Sequence, residues 1–197
     1  MKTDKQLAGA IVANGGAKEN RRALDFYPTP PEVTIALMEF LNLKNKLVWE
    51  PACGMGAMSQ VIESYGLEVI STDINLECYG EGGVDFLGET VYDCDAIITN
   101  PPFNMSEQFI RKAVKVAPIV AMVLKSQYWH AAKRLKLFED HPPAYVLPLT
   151  WRPDFLFDHR ANGEKSAPTM DCIWTVWDCD LKSTVYEPLK KVAHRTC

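Results

Sequence analysis

An α/β fold is what the sequence predicts: a mostly parallel sheet, helices on both faces, and an antiparallel edge strand. Three observations carry that expectation. Short apolar, β-branched runs alternate with amphipathic stretches from about residue 30 to residue 140. A glycine turn, Pro51-Ala52-Cys53-Gly54-Met55-Gly56, stands between the first such run and the helical pattern after it. The last two apolar runs are joined by a stretch with no helical period, which fits an antiparallel pair.

The elements follow in order. Residues 1–24 are small and polar and read as a mobile arm. Pro28, Pro30 and Pro31 open a helix near 30–41, with Thr29 as its cap and Val33, Ile35, Ala36, Leu37, Phe40 and Leu41 as its buried side. Residues 47–50 form a strand, and 57–66 a helix closed by Gly66. Residues 67–74 form a second strand. A loop with Gly80, Gly82 and Gly83 leads to Val84-Asp85-Phe86-Leu87. Strand 95–100, helix 106–117 and strand 118–125 come next. Residues 130–140 read as a basic amphipathic helix, and 144–150 as a strand. The loop 151–168 is long enough to be functional, and a last strand covers 169–178. One domain over 25–180 and a peripheral tail over 181–197 complete the organisation.

Composition bounds the function. The chain has 197 residues, 47% hydrophobic and 23% charged, enough to bury one core and too apolar for disorder. No apolar run is long enough to cross a bilayer. Six cysteines without a regular framework read as reduced thiols of a cytoplasmic protein. Four scattered histidines offer no metal-ligand spacing, so no metal is expected. The net charge of −4 is unevenly spread. Residues 46–100 hold ten acids and one lysine, whereas 105–136 hold seven Lys or Arg and one Glu. That asymmetry leaves nucleic acid open as a partner despite the acidic total.

Two corners of the chain carry chemistry. Glu50 precedes the glycine turn, and Gly54 and Gly56 let backbone approach a ligand. The turn lacks the GK[ST] of a phosphate loop and the third glycine of a dinucleotide turn. An acid before the turn suits a cationic ligand better than a pyrophosphate. Asp73 ends the next strand, where a carboxylate can accept from ribose hydroxyls. Asp85 and Phe86 can read an adenine by its amine and its face. The second corner is Asn100-Pro101-Pro102-Phe103, directly after the strand 95–100. A residue before proline is held extended and proline fixes its own φ, so the Asn100 side-chain oxygen and the Pro101 carbonyl are aimed with little freedom. Two such acceptors can draw the hydrogens of a planar amine and make its nitrogen nucleophilic.

These motifs resemble those of S-adenosylmethionine-dependent DNA adenine-N6 methyltransferases, with the cofactor motifs before the catalytic tetrad. The resemblance spans roughly residues 26–178. It implies a Rossmann-like methyltransferase fold with a seven-stranded sheet, S-adenosylmethionine as cofactor, and direct methyl transfer to a flipped-out adenine of double-stranded DNA. It also implies roles. Asn100, Pro101, Pro102 and Phe103 would be catalytic, with Phe103 stacking on the base. Tyr27 and Thr29 would touch the methionine part of the cofactor. Glu50, Ala52 and Gly54 would line the same pocket. Asp73 and Ile74 would bracket ribose and adenine, and Asp85 and Phe86 would hold the adenine. Phe155, ahead of Trp151 and Phe157, would be the second aromatic against the target base. Arg152, Arg160 and Lys165 would meet phosphates. Cytosine C5 methylation would need a Pro-Cys pair, which the chain lacks. No separate recognition domain is left over, so a short target site is expected. Ribosomal RNA N-methyltransferases, protein glutamine N-methyltransferases (which favour Tyr where Phe103 stands) and a non-catalytic binding module are the rival readings. Oligomeric state is open.

Overall fold

The computed structural model describes residues 28–155, 168, 170–181 and 183–192. The expected arm at 1–24 and the middle of the 151–168 loop lie outside them. In chain order the elements are α1 (Pro31–Phe40), β1 (Leu47–Glu50), α2 (Ala57–Ser64), β2 (Glu68–Asp73), β3 (Glu81–Gly82), β4 (Ala96–Thr99), α3 (Ser106–Val116), β5 (Ile119–Lys125), α4 (Leu135–Asp140), β6 (Tyr145–Pro148), β7 (Cys172–Asp178) and β8 (Val185–Tyr186).

The strands form one eight-stranded sheet in the order β3-β2-β1-β4-β5-β7-β6-β8. β7 runs antiparallel to both β5 and β6, and the other pairings are parallel. The expected seven strands become eight. Residues 84–87 are irregular, and the two-residue β3 ahead of them pairs with the end of β2. The tail read as peripheral supplies β8, and Leu189 is buried in the core.

Strand alternation sorts side chains into two layers. Val48, Ala96, Ile98, Ala121 and Val123 face the side covered by α1 and α2. Trp49, Ile97, Val120, Met122 and Leu124 face the side covered by α3 and α4. The indole of Trp174 on β7 donates to the Val33 carbonyl of α1 at 2.9 Å, tying the last long strand to the first helix.

Two local expectations change. Thr29 does not cap α1: Pro30 takes the N-cap position and no side chain caps the helix. The basic helix expected at 130–140 is split into 3-10 turns at Ser126–His130 and Ala132–Arg134 followed by α4. Aromatic packing explains the break. Trp129 stacks on Phe138 at 4.3 Å, the Arg134 guanidinium lies 3.5 Å over Tyr128, and Arg134 donates to the Tyr128 carbonyl.

The chain passes outward through β1, β2 and β3, then returns to place β4 on the other side of β1. That reversal opens a crevice at the carboxyl ends of β1 and β4, the place where open α/β sheets take ligands.

Candidate active site

The glycine turn leaves β1 and the Asn-Pro-Pro-Phe tetrad leaves β4, so sheet order brings the two corners together. Between them lies a cavity of about 540 Å³. Its lining includes Thr29, Glu50, Ala52, Gly54, Asp73, Ile74, Asp85, Phe86 and Asn100 through Phe103. Tyr27, Arg160 and Lys165 lie outside the described residues.

The turn is built on positive backbone angles, φ +50° at Gly54 and +81° at Gly56. A Cβ at Gly56 would stand 2.3 Å from the Tyr79 ring. Tyr79 folds over the turn, its N–H donating to the Gly54 carbonyl at 2.8 Å and its hydroxyl to Glu63 at 2.8 Å.

Asp73 braces the same turn. Its Oδ2 accepts from the Gly54 N–H at 2.9 Å, and its Oδ1 accepts from both the backbone and side-chain nitrogens of Asn75 at 2.8 Å. A carboxylate has about four acceptor positions, so about one remains for a ligand.

Glu50 is 2% exposed and takes a hydrogen bond from the Ser59 hydroxyl, which also meets the Ser71 hydroxyl at 2.7 Å. The charged groups facing it, Asp73 and Glu63, are both acidic. Burial pushes its carboxyl up to about 8, against the lowering effect of the Ser59 bond. Burial therefore favours the protonated form of this acid near neutral pH. Burial also pushes the Cys53 thiol up to about 12, which removes it as a nucleophile.

At the second corner, the Pro102 carbonyl accepts from the Met105 N–H and the Ser106 hydroxyl, and the Phe103 carbonyl accepts from Ser106. These bonds start α3 and hold the tetrad. The Asn100 side-chain nitrogen donates to Thr29 Oγ1 at 3.1 Å. Its Oδ1 is buried and has no hydrogen-bond partner among the described residues. No hydrogen bond from them reaches the Pro101 carbonyl either.

Other expected residues lie elsewhere. Phe155 is 3% exposed in the core beneath α1 and does not line the cavity, so its ring offers no face to a base. The Phe86 ring is 2% exposed, with Trp49 and Phe109 at 5.1 and 4.7 Å, so it borders the cavity without a free face. Arg152 is exposed and ion-paired with Asp171 at 2.7 Å, outside the cavity wall. Sequence reading missed Lys125, whose ammonium sits 4.0 Å over the Phe103 ring, and Asn75, which joins the lining. Only the position of Lys125 at the carboxyl end of β5 hinted at it.

No protein-family model matches the sequence, and no curated protein matches it. Solved structures do. One described as a putative RNA methyltransferase from Pyrococcus horikoshii superposes with TM-score 0.58 at 16% identity, over 89% of this chain and 98% of that one. A modification subunit of a putative type I restriction enzyme from Vibrio vulnificus gives 0.57 at 13% identity, over 95% of this chain and 53% of that one. A dimethyladenosine transferase from Plasmodium falciparum gives 0.55 at 13% identity, over 77% and 62%. The chain has the Rossmann-like fold found in these methyltransferase structures.

Proposed function

We propose that the protein transfers a methyl group from S-adenosylmethionine to the exocyclic N6 amine of adenine in double-stranded DNA, on a base turned out of the helix. The observation that carries this reading is that Asn100 lines the cavity walled by the glycine turn while its Oδ1 is buried and has no hydrogen-bond partner among the described residues. A buried acceptor left without a donor costs free energy, and a ligand amine would recover it.

The residues present fit the cofactor. Glu50, with only acids facing it, suits an ammonium or sulfonium charge. The positive φ of Gly54 brings its backbone to the cavity wall, whereas Gly56 keeps the turn packed under Tyr79. The free acceptor position on Asp73 suits one ribose hydroxyl. Ile74, 63% exposed at the cavity wall, offers an apolar surface to adenine. When bound, S-adenosylmethionine would supply an electrophilic methyl carbon on a positively charged sulfur; the sulfur keeps the bonding pair, the adenine nitrogen takes the methyl, and the resulting ammonium gives up one proton to solvent.

The chain's own part is to make that nitrogen reactive. Asn100 Oδ1 and the Pro101 carbonyl accept the two N6 hydrogens, which withdraws the lone pair from the ring and favours a pyramidal nitrogen. The tandem prolines hold both oxygens before the base arrives, so little entropy is lost at the reaction. Phe103 is half-buried at the cavity wall with the Lys125 ammonium over one face of its ring, so the base would stack on the other face.

Adenine in RNA is the second reading, favoured by the descriptions of two fold neighbours as an RNA methyltransferase and a dimethyladenosine transferase. Incubation with methyl-labelled S-adenosylmethionine and, in separate reactions, DNA, RNA and total protein tests the proposal. Label is expected in DNA as N6-methyladenine. Label confined to RNA would move the assignment to the second reading, and label in protein or nowhere would end both.

A further inference from the structure

Thr29 stands out because its side chain does the work of neither a helix cap nor a surface hydroxyl. It is 5% exposed, and the cap position of α1 belongs to Pro30 without a side-chain bond. Its Oγ1 instead accepts from the Asn100 side-chain nitrogen at 3.1 Å, across 71 positions of sequence. Both partners precede a proline, Thr29 before Pro30 and Asn100 before Pro101. Each is therefore confined to extended backbone, and Pro28 restrains Thr29 from the other side. The bond joins two stiff corners.

A carboxamide has a donor end and an acceptor end of nearly the same shape, and rotation about its last bond exchanges them. With nitrogen turned to Thr29, the acceptor end is left buried at the cavity wall, with no partner among the described residues. The reverse placement would aim N–H donors at the hydrogens of an incoming amine. We propose that Thr29 is a positioning residue, whose hydroxyl anchors the Asn100 carboxamide at its nitrogen and so steadies its oxygen for the substrate amine. Its consequence for turnover rests on the methyl-transfer reading, whereas the hydrogen bond itself does not. The role differs from the cofactor contact that the sequence resemblance implied for Thr29.

The experiment compares Thr29→Val, which keeps shape and loses the hydroxyl, with Thr29→Ser, which keeps the hydroxyl. The first readout is the Asn100 side-chain NH₂ pair in ¹⁵N-labelled free protein, assigned by its loss in Asn100→Asp. In the wild type one of its protons should be protected from exchange, and the protection should fall about tenfold in Thr29→Val and persist in Thr29→Ser. The second readout is methyl transfer to unmethylated DNA alongside calorimetric binding of S-adenosylmethionine. Thr29→Val should lose about 10- to 100-fold in kcat while cofactor Kd stays within about twofold, and Thr29→Ser should recover most of the rate. Unchanged protection in Thr29→Val, a loss in cofactor affinity without a loss in kcat, or failure of Thr29→Ser to rescue would each overturn the proposal. If Thr29→Val does not fold, the Ser variant and the wild-type exchange pattern still decide it. If the wild type methylates nothing, the functional reading fails while the exchange measurement continues to judge the carboxamide geometry.

Discussion

Asn100 and Glu50 do opposite things with burial. Asn100 keeps an acceptor that has no partner among the described residues, and the proposed substrate would complete it. Asn100→Ala is expected to reduce transfer by at least about 100-fold and to leave S-adenosylmethionine binding nearly intact by calorimetry. Ordinary turnover in that variant would remove the side chain from the chemistry. Glu50 is a carboxyl held up at about 8 by burial. Its folded value lies above its unfolded one, so its contribution to stability is fully present below about pH 4.5 and is lost as pH rises through about 8. Between those limits, one proton accounts for a slope of up to about 1.4 kcal/mol per pH unit. Glu50→Gln should flatten that part of the unfolding profile, raise the melting temperature of the free protein at pH 8, and weaken S-adenosylmethionine. Wild-type binding of the cationic cofactor at pH 7 should release protons, read as a dependence of the binding heat on buffer ionisation. Identical pH profiles for wild type and variant would show that Glu50 is already ionised in the free site.

At the scale of elements, the glycine turn and the segment after β2 act as a unit. Tyr79 closes over Gly56, and Asp73 holds Gly54 from beneath. Gly56→Ala would combine a strained positive φ with a clash against the Tyr79 ring. It should cost about 1–3 kcal/mol in urea unfolding, and less when Tyr79→Ala has already made room. Equal costs in both backgrounds would assign the whole effect to backbone strain. The turn was legible in sequence because glycine spacing between a strand and a helix is a local signal. Its brace was not, since Asp73 lies 19 positions from Gly54 and read only as a ligand for ribose. Thr29 was misread for a related reason. A threonine before prolines looks like a cap when only its neighbours in sequence are in view.

Across the whole molecule, the charge pattern took on a different meaning once it was folded. The basic stretch 105–136 spends several cations internally. Arg111 pairs with Glu107 and Asp140, Lys136 pairs with Asp140, and Lys112 donates to the Gly88 and Thr90 carbonyls. α3 also begins at the Asn-Pro-Pro-Phe corner and runs away from it, so Lys115 stands roughly 15 Å along its axis from the tetrad. Arg111→Ala should therefore leave the salt dependence of DNA binding unchanged. A fall of about 1 in the log–log slope would place Arg111 on a phosphate.

The order of strands and helices, the two corners and their residue types were determined by the sequence itself, because hydrophobic period, glycine angles and proline restraint act over a few neighbouring positions. Tertiary structure alone decided that β4 lies beside β1, that Phe155 faces the core, that the tail joins the sheet, and that Thr29 reaches Asn100. Each of these depends on which distant segments share the packed interior, and shape complementarity among buried side chains sets that only when the whole chain has closed on itself.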